Sequence, residues 1–204
     1  MGACPLGYIS FVPTGVALRD VREQLFDAAD RILLRSGPEA LTSRAVTLDA
    51  GCAKGVLHRH FTDFDDFLAE YVLDRAGRMD ARMTALHAGT GSVTDTVADA
   101  LTALFGSVAV AIVALVTFRD GLRARLRETW PAGVPVLTEG AELFAAYLED
   151  ERVLGRIAAG ADTATLGAIL IGTGHMLFAD RTGPPPAPAD VRRTVAAIIP
   201  VAAT

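Results

Sequence analysis

The chain has 204 residues, 51% of them apolar, so it can bury the core of one large domain or of a small domain fused to a larger one. Its net charge of −5 excludes a histone-like polycation. Its two cysteines, Cys4 and Cys52, make neither a disulfide framework nor a metal-ligand spacing, which suits a reducing cytoplasm.

Residues 1–17 lack the basic segment and long apolar run of a signal peptide, and their Pro and Gly predict a loosely docked arm. Over 19–35, Val21, Leu25, Ala28, Ile32 and Leu33 share one helical stripe. Arg22, Glu23, Asp27, Asp30 and Arg31 take the opposite face. Gly37 and Pro38 stop that helix. Thr42 is a good N-cap for a short helix over 43–50, which Gly51 ends. A second short helix is expected over 53–61. Thr62 or Asp63 caps a third, longer one, and Asp63, Asp65 and Asp66 suit the positive end of its dipole.

Gly89 and Gly91 mark a break, after which one long helix is expected over 93–115. A shorter helix follows through "FRDGLRARLRE", and "WPAGVP" at 130–135 is a loop. Helices are expected over 136–158, with Gly155 a point of interruption, and over 163–180. "RTGPPPAPAD" is a Pro-rich connector, and 191–201 forms a last helix. No useful segment alternates with period two, so the expected fold is all-α.

Residues 100–118 are nineteen positions without a charge, and 163–179 are seventeen. The first meets the length of a membrane span. It is rich in Ala, Ser, Thr and Gly, lacks an aromatic belt, and follows Asp95 and Asp99. Both stretches therefore read as buried helices, with no membrane partner; a membrane-associated helical protein is the minor alternative.

Charge is uneven along the chain. Residues 1–61 carry seven basic and six acidic side chains, and residues 62–204 carry twelve and eighteen. Lys54 is the only lysine. The two short helices joined at Gly51 have helix-turn-helix proportions. Leu57 and Phe61, four apart, face a core, which leaves Val56, Arg59 and His60 outward and His58 on the flank. Arg59 has the geometry for a bidentate guanine contact. Lys54 and the amides near Gly55 suit a phosphate. Helix pairs of this kind also occur in proteins that never meet DNA, so spacing leaves both readings open. No nucleophile–base pair, phosphate loop or metal cluster appears, so no enzyme activity, metal or cofactor is expected.

Within residues 20–75, "LFDAADRILLRSG", "ALTSRAVTLDAG", "AKGVLHRHF" and "TDFDDFLAEYV" follow in the order and spacing of a known domain. They resemble the DNA-binding domain of tetracycline-repressor (TetR) type regulators. The resemblance implies an N-terminal three-helix helix-turn-helix domain at 18–64 and a larger helical ligand-binding and dimerisation domain at 65–204. It implies a ligand-responsive regulator, a repressor, that binds a palindromic double-stranded DNA operator as a homodimer. A small-molecule effector would move the two heads out of register. By position, Thr42, Ser43 and Arg44 would meet backbone or bases, and Lys54, Gly55, Val56, His58, Arg59 and His60 would form the reading surface.

The chain departs from that pattern at several positions. The family usually has a small hydroxyl residue at Val56, tyrosine at His58 and an aromatic at His60. It commonly has a phosphate-binding lysine where Phe64 stands, here among Asp63, Asp65 and Asp66. The lost cation and the carboxylates motivate the alternative, a small-molecule-binding helical dimer whose head no longer binds DNA. His58 and His60 add a pH-sensitive element to the reading surface.

For the body, the candidate pocket residues are His87, Phe105, Phe118, Trp130, Phe144, Tyr147 and His175. An aromatic at helical spacing is ordinarily core, and His175 is either a satisfied buried histidine or a polar handle. The resemblance implies that the helices over 136–158 and 163–180 pair with their copies in a four-helix bundle. The second carries Leu166, Ile169, Leu170, Thr173 and Leu177 on one stripe, with Gly167, Gly172 and Gly174 permitting close approach.

Overall fold

The computed structural model describes residues 18–83, 86–131, 133–180 and 183–202. The expected arm at 1–17 lies outside them. The fold is all-α, as the periodicity predicts; among the described residues the one departure is an isolated antiparallel bridge between Ile157 and Val201.

The first helix, α1, spans Leu18–Ser36 and stops at Gly37, whose φ of 78° favours glycine. A short 3-10 turn, Pro38–Ala40, leads to α2 at Ser43–Asp49. The Thr42 hydroxyl accepts the Ala45 amide at 3.1 Å, which is the expected N-cap. Gly51, at φ 66°, turns the chain toward α3, Val56–His60. This helix is shorter than the expected 53–61. Lys54 and Gly55 form a turn before it, closed by the Val56 amide donating to Ala53 at 2.9 Å.

Helix α4 spans Phe64–Met83. Its start is a reciprocal cap: the Asp66 amide donates to Asp63 at 2.8 Å, and the Thr62 amide donates to Asp66 at 2.8 Å. Phe61, at the end of α3, meets Phe67 of α4 edge-on at 5.1 Å, and Phe26 of α1 lies 5.6 Å from Phe67. That aromatic cluster fastens α1, α3 and α4 together.

The remaining helices are α5 (Val93–Phe105), α6 (Ala109–Phe118), α7 (Asp120–Leu126), α8 (Pro135–Val153), α9 (Thr163–Phe178) and α10 (Pro188–Ile198). The single helix expected over 93–115 is two helices, α5 and α6, bent by 54°. Ser107 explains the break. Its hydroxyl bonds the Leu104 carbonyl at the end of α5 and accepts the Ala109 amide at the start of α6 at 3.4 Å. Among the described residues no single helix is long and apolar enough to cross a membrane. Ala109, Ile112, Leu115 and Val116 of α6 are buried inside the chain.

Helix α8 ends before Gly155, whose φ of 72° terminates rather than interrupts it. Helix α10 starts three residues earlier than expected, with Pro188 in its first turn. Helices α8 and α9 pack backbone to backbone. A side chain at Gly167 would strike the Ala141 carbonyl, and one at Gly174 would strike the Phe105 ring. These two glycines therefore serve packing within the chain, whereas the surroundings of Gly172 are open. Buried side chains form one continuous cluster from Leu25 to Ile199, in which α4 packs against both α7 and α8.

Candidate DNA-binding surface and effector cavity

The α2–α3 unit is held from behind and bare in front. Leu57 is fully buried, and Phe61 lies under the Arg22 guanidinium, 4.7 Å from ring centroid to charge. Thr47 is also buried, and its hydroxyl donates to the Ser43 carbonyl at 3.0 Å. Arg31 and Arg35 of α1 both reach Asp49 at the end of α2. The hydrogen bond from Arg31, with the charges of both arginines, holds the Asp49 carboxyl below its ordinary value. These contacts fix α2 against α1.

On the outer side, Arg44, Lys54, Gly55, His58 and Arg59 are exposed, and Ser43, Val56 and His60 are partly so. Thr42 is exposed, with its hydroxyl used in the cap. Leu48, one turn beyond Arg44 on α2, is 78% exposed. The spacing of 44 and 48 was the available signal for this neighbour, which sequence reasoning passed over. The amide of Val56 is committed to the Ala53 carbonyl, and the Lys54 side chain is exposed beside that turn.

Charge pairing separates this surface from the rest. Arg75 is bound to Asp30, Arg119 to Asp65, Arg125 to Asp63, and Arg192 to Asp95. Among the residues whose side chains are described, which leaves out Arg19, Arg82 and Arg181, Arg44, Lys54, Arg59 and Arg127 have no carboxylate at ion-pair distance. Three of these four stand on the helix-turn-helix.

Phe64 and its acidic neighbours have internal partners. Phe64 stacks on Phe67 at 5.5 Å and lies 5.1 Å from the Arg119 guanidinium. Arg119 also donates to Asp65 at 2.6 Å. Arg125 bridges Asp63 at 2.8 Å and Asp66 at 3.3 Å. The carboxylates that looked repulsive to a phosphate are thus neutralised from α7.

A cavity of about 720 Å³ lies between α1, α4, α5, α6 and the start of α8. That volume accommodates a drug-sized ligand. Its apolar lining includes Met79, Leu86, Ala100, Leu104, Val108 and Ile112. Among the described residues its ionisable lining is Asp27, Asp30, Arg75, Arg78 and Asp99. The Arg75 side chain is only 8% exposed and donates to Asp30, Asp27 and Asp74. Burial opposes its charge, but the bonds and charge of Asp30 outweigh that and strengthen its hold on the proton. Tyr71 donates to Asp30 at 2.6 Å; burial and then the Asp30 charge push its hydroxyl well above the ordinary tyrosine value.

None of the seven residues expected to line a pocket lines this cavity. Phe118 is 86% exposed at the end of α6, and His87 is exposed in the loop after α4. Phe105 and Phe144 are core. Trp130 donates from its indole to Thr138 at 2.9 Å. Tyr147 donates to the fully buried Glu151 at 2.8 Å, and burial followed by that bond pushes its hydroxyl up to about 12. His175 lies 6.1 Å from Phe105, ring to ring, and among the described residues its buried Nδ1 has no hydrogen-bond partner.

No family model matches the sequence, and no curated protein matches it significantly. Solved structures do. The reduced form of Escherichia coli NemR aligns over 91% of this chain and all of its own, with 17% identity and a TM-score of 0.68. A putative TetR-family transcriptional regulator from Rhodococcus sp. aligns over 88% of this chain and 96% of its own, with 18% identity and a TM-score of 0.65. FadR from Bacillus subtilis, solved with stearoyl-CoA, aligns over 86% of this chain and 94% of its own, with 17% identity and a TM-score of 0.57. At these identities it is the fold that is shared: from the helix-turn-helix at the N-terminus to the packed pair α8 and α9, the protein has the TetR-like fold.

Proposed function

We propose that the protein is a ligand-responsive DNA-binding transcription regulator, a repressor, that grips a palindromic operator as a homodimer. One observation carries this: Arg44, Lys54 and Arg59, the cations of α2, the turn and α3, have no carboxylate partner among the described residues, whereas every other arginine with a described side chain except Arg127 has one. A cation kept free on a fixed, exposed motif is the electrostatic footprint of a phosphate or base contact. In this reading residues 18–64 are the DNA-binding head and 65–204 the body. Arg59 reads a base, with His58 and His60 beside it and Val56 against the groove. Lys54 and the first turn of α2, at Thr42 and Ser43, hold the backbone.

The cavity between α1, α4, α5 and α6 is the effector site in this reading. It touches Asp27, Asp30 and Leu34 of α1, so a ligand there contacts the helix that braces α2. The dimer forms through α8 and α9. Ile169 is 44% and Met176 is 70% exposed, seven residues apart on one face of α9, with open Gly172 between them. An apolar stripe of that kind suits a second copy better than water. The protein would act in the cytoplasm, where its operator is.

The direct test is a mobility shift with the duplex upstream of its own gene. Saturable binding in steps of two subunits supports the proposal. Binding no tighter than to an unrelated duplex of equal length, for that duplex and for others flanking the gene, counts against it.

A further inference from the structure

Among the described residues the cavity lining holds three carboxylates, Asp27, Asp30 and Asp99, and two guanidinium groups. Glu23, Asp27, Asp30 and Asp74 surround two guanidinium groups, those of Arg75 and Arg78. Every nitrogen of Arg75 and two of the three of Arg78 already donate to a protein carboxylate. Arg75 gives its Nε to Asp30 at 3.1 Å, its Nη1 to Asp74 at 2.5 Å and its Nη2 to Asp27 at 3.1 Å. Arg78 gives its Nε to Asp74 at 2.8 Å and its Nη2 to Glu23. A ligand carboxylate or phosphate would meet two guanidinium groups whose charge four protein carboxylates already offset.

The acids are less fully used. Asp27 is half-exposed where the cavity meets solvent, and among the described residues its one bond comes from Arg75. Asp99, also lining the cavity, is 72% exposed and among the described residues meets only Arg192, at 3.5 Å. Among the described residues no Phe, Tyr or Trp lines the cavity, so a cation there meets carboxylates and not an aromatic face. Carboxylates reward a charge that brings N–H donors, because a charge-assisted hydrogen bond adds to the Coulomb attraction.

We infer that the cavity takes a lipophilic protonated amine: an apolar body among the side chains of α5 and α6, with its ammonium N–H groups on Asp27 and Asp99. This rests on the reading of the cavity as the effector site and adds the chemistry of the effector. It separates this chain from its structural neighbour FadR, whose bound stearoyl-CoA is anionic.

The test is calorimetry on the full chain with four probes of one chain length: decylamine, decyltrimethylammonium, decanol and decanoate. Decylamine is expected to bind tightest, by about tenfold or more over decanol, the worth of a hydrogen bond to a charged group. Decyltrimethylammonium should fall between them and decanoate should be weakest. Asp27→Asn and Asp99→Asn should each reduce decylamine binding toward that of decanol and leave decanol unchanged. Ala103→Trp, at an exposed lining position, should block all four. Decanoate binding as tightly as decylamine, or decylamine unaffected by both aspartate changes, overturns the amine and leaves the effector site standing. Absence of binding by every probe, or binding indifferent to Ala103→Trp, overturns the effector site and the amine together.

Discussion

Arg125 of α7 and Asp63 at the cap of α4 are 62 residues apart in sequence and are joined by an ion pair of 2.8 Å. The same arginine reaches Asp66, so one guanidinium neutralises both halves of the α4 cap. The Asp66 amide, and then the charge of Arg125, hold the Asp63 carboxyl below its ordinary value. The pair joins a body helix to the residues that directly follow α3. It makes the acidic start of α4 compatible with a nearby phosphate.

Arg125→Ala should therefore weaken DNA binding at low salt with little change in Tm. The ion pair is solvated and contributes little to stability. The uncovered carboxylates repel the backbone over a distance that added salt shortens. Anisotropy titrations at two salt concentrations check this. An affinity loss that is independent of salt would point to a structural change instead.

Arg59 and Lys54 should fail differently. Arg59→Ala should remove discrimination of about 1–3 kcal/mol at one base pair. Lys54→Ala should weaken binding to all duplexes alike and lower the salt slope by about 0.9 for each phosphate it no longer neutralises. Competition with single-base variants of the bound duplex separates the two. Full sequence-specific binding by the double variant would contradict both roles.

Gly167→Ala should lower stability by about 1–3 kcal/mol, the range for overpacking. The added Cβ meets the Ala141 carbonyl, a backbone atom in the middle of α8 that cannot swing aside. Gly77→Ala, on the open face of α4 and away from the proposed dimer face, is the control. Equal urea midpoints for the two variants would mean that α8 and α9 are not this close.

Stability should fall as pH rises above about 10, the ordinary tyrosine value. Tyr71 and Tyr147 are both held protonated in the fold, Tyr147 up to about 12, and Tyr71 is pushed up by burial and the Asp30 charge. The unfolded chain releases those protons first, so alkaline pH favours it. Urea midpoints at pH 9 and 11 measure the slope. Tyr71→Phe should flatten it, and an unchanged slope in that variant would show that Tyr71 does not titrate on unfolding.

Local signals were legible in the sequence. Thr42 announces α2, Asp63 and Asp66 announce α4, and Gly37 and Gly51 stop their helices by taking positive φ. These depend on neighbours within four residues. The break at Ser107 was missed because an apolar run looks continuous, and one hydroxyl turned back on Leu104 ends the helix. The length of α3 was overstated because Lys54 and Gly55 are equally at home in a helix or a turn. The cavity was not legible. Asp27 and Asp30 read as a solvated face of α1, and their partner Arg75 lies 45 or more residues away. Aromatic residues drew attention to the body's core, where Phe105 and Phe144 pack, and away from a cavity lined by aliphatic and charged side chains.

Selection of bound duplexes from a random library, sequenced after several rounds with the wild-type chain and with Arg59→Ala, tests the regulator reading most directly. Wild type should enrich an inverted repeat, with half-sites one or two helical turns apart as dimer symmetry requires. Arg59→Ala should lose preference at one symmetric pair of positions. Failure to enrich any sequence at low salt would contradict operator binding and leave a helical ligand-binding protein in its place.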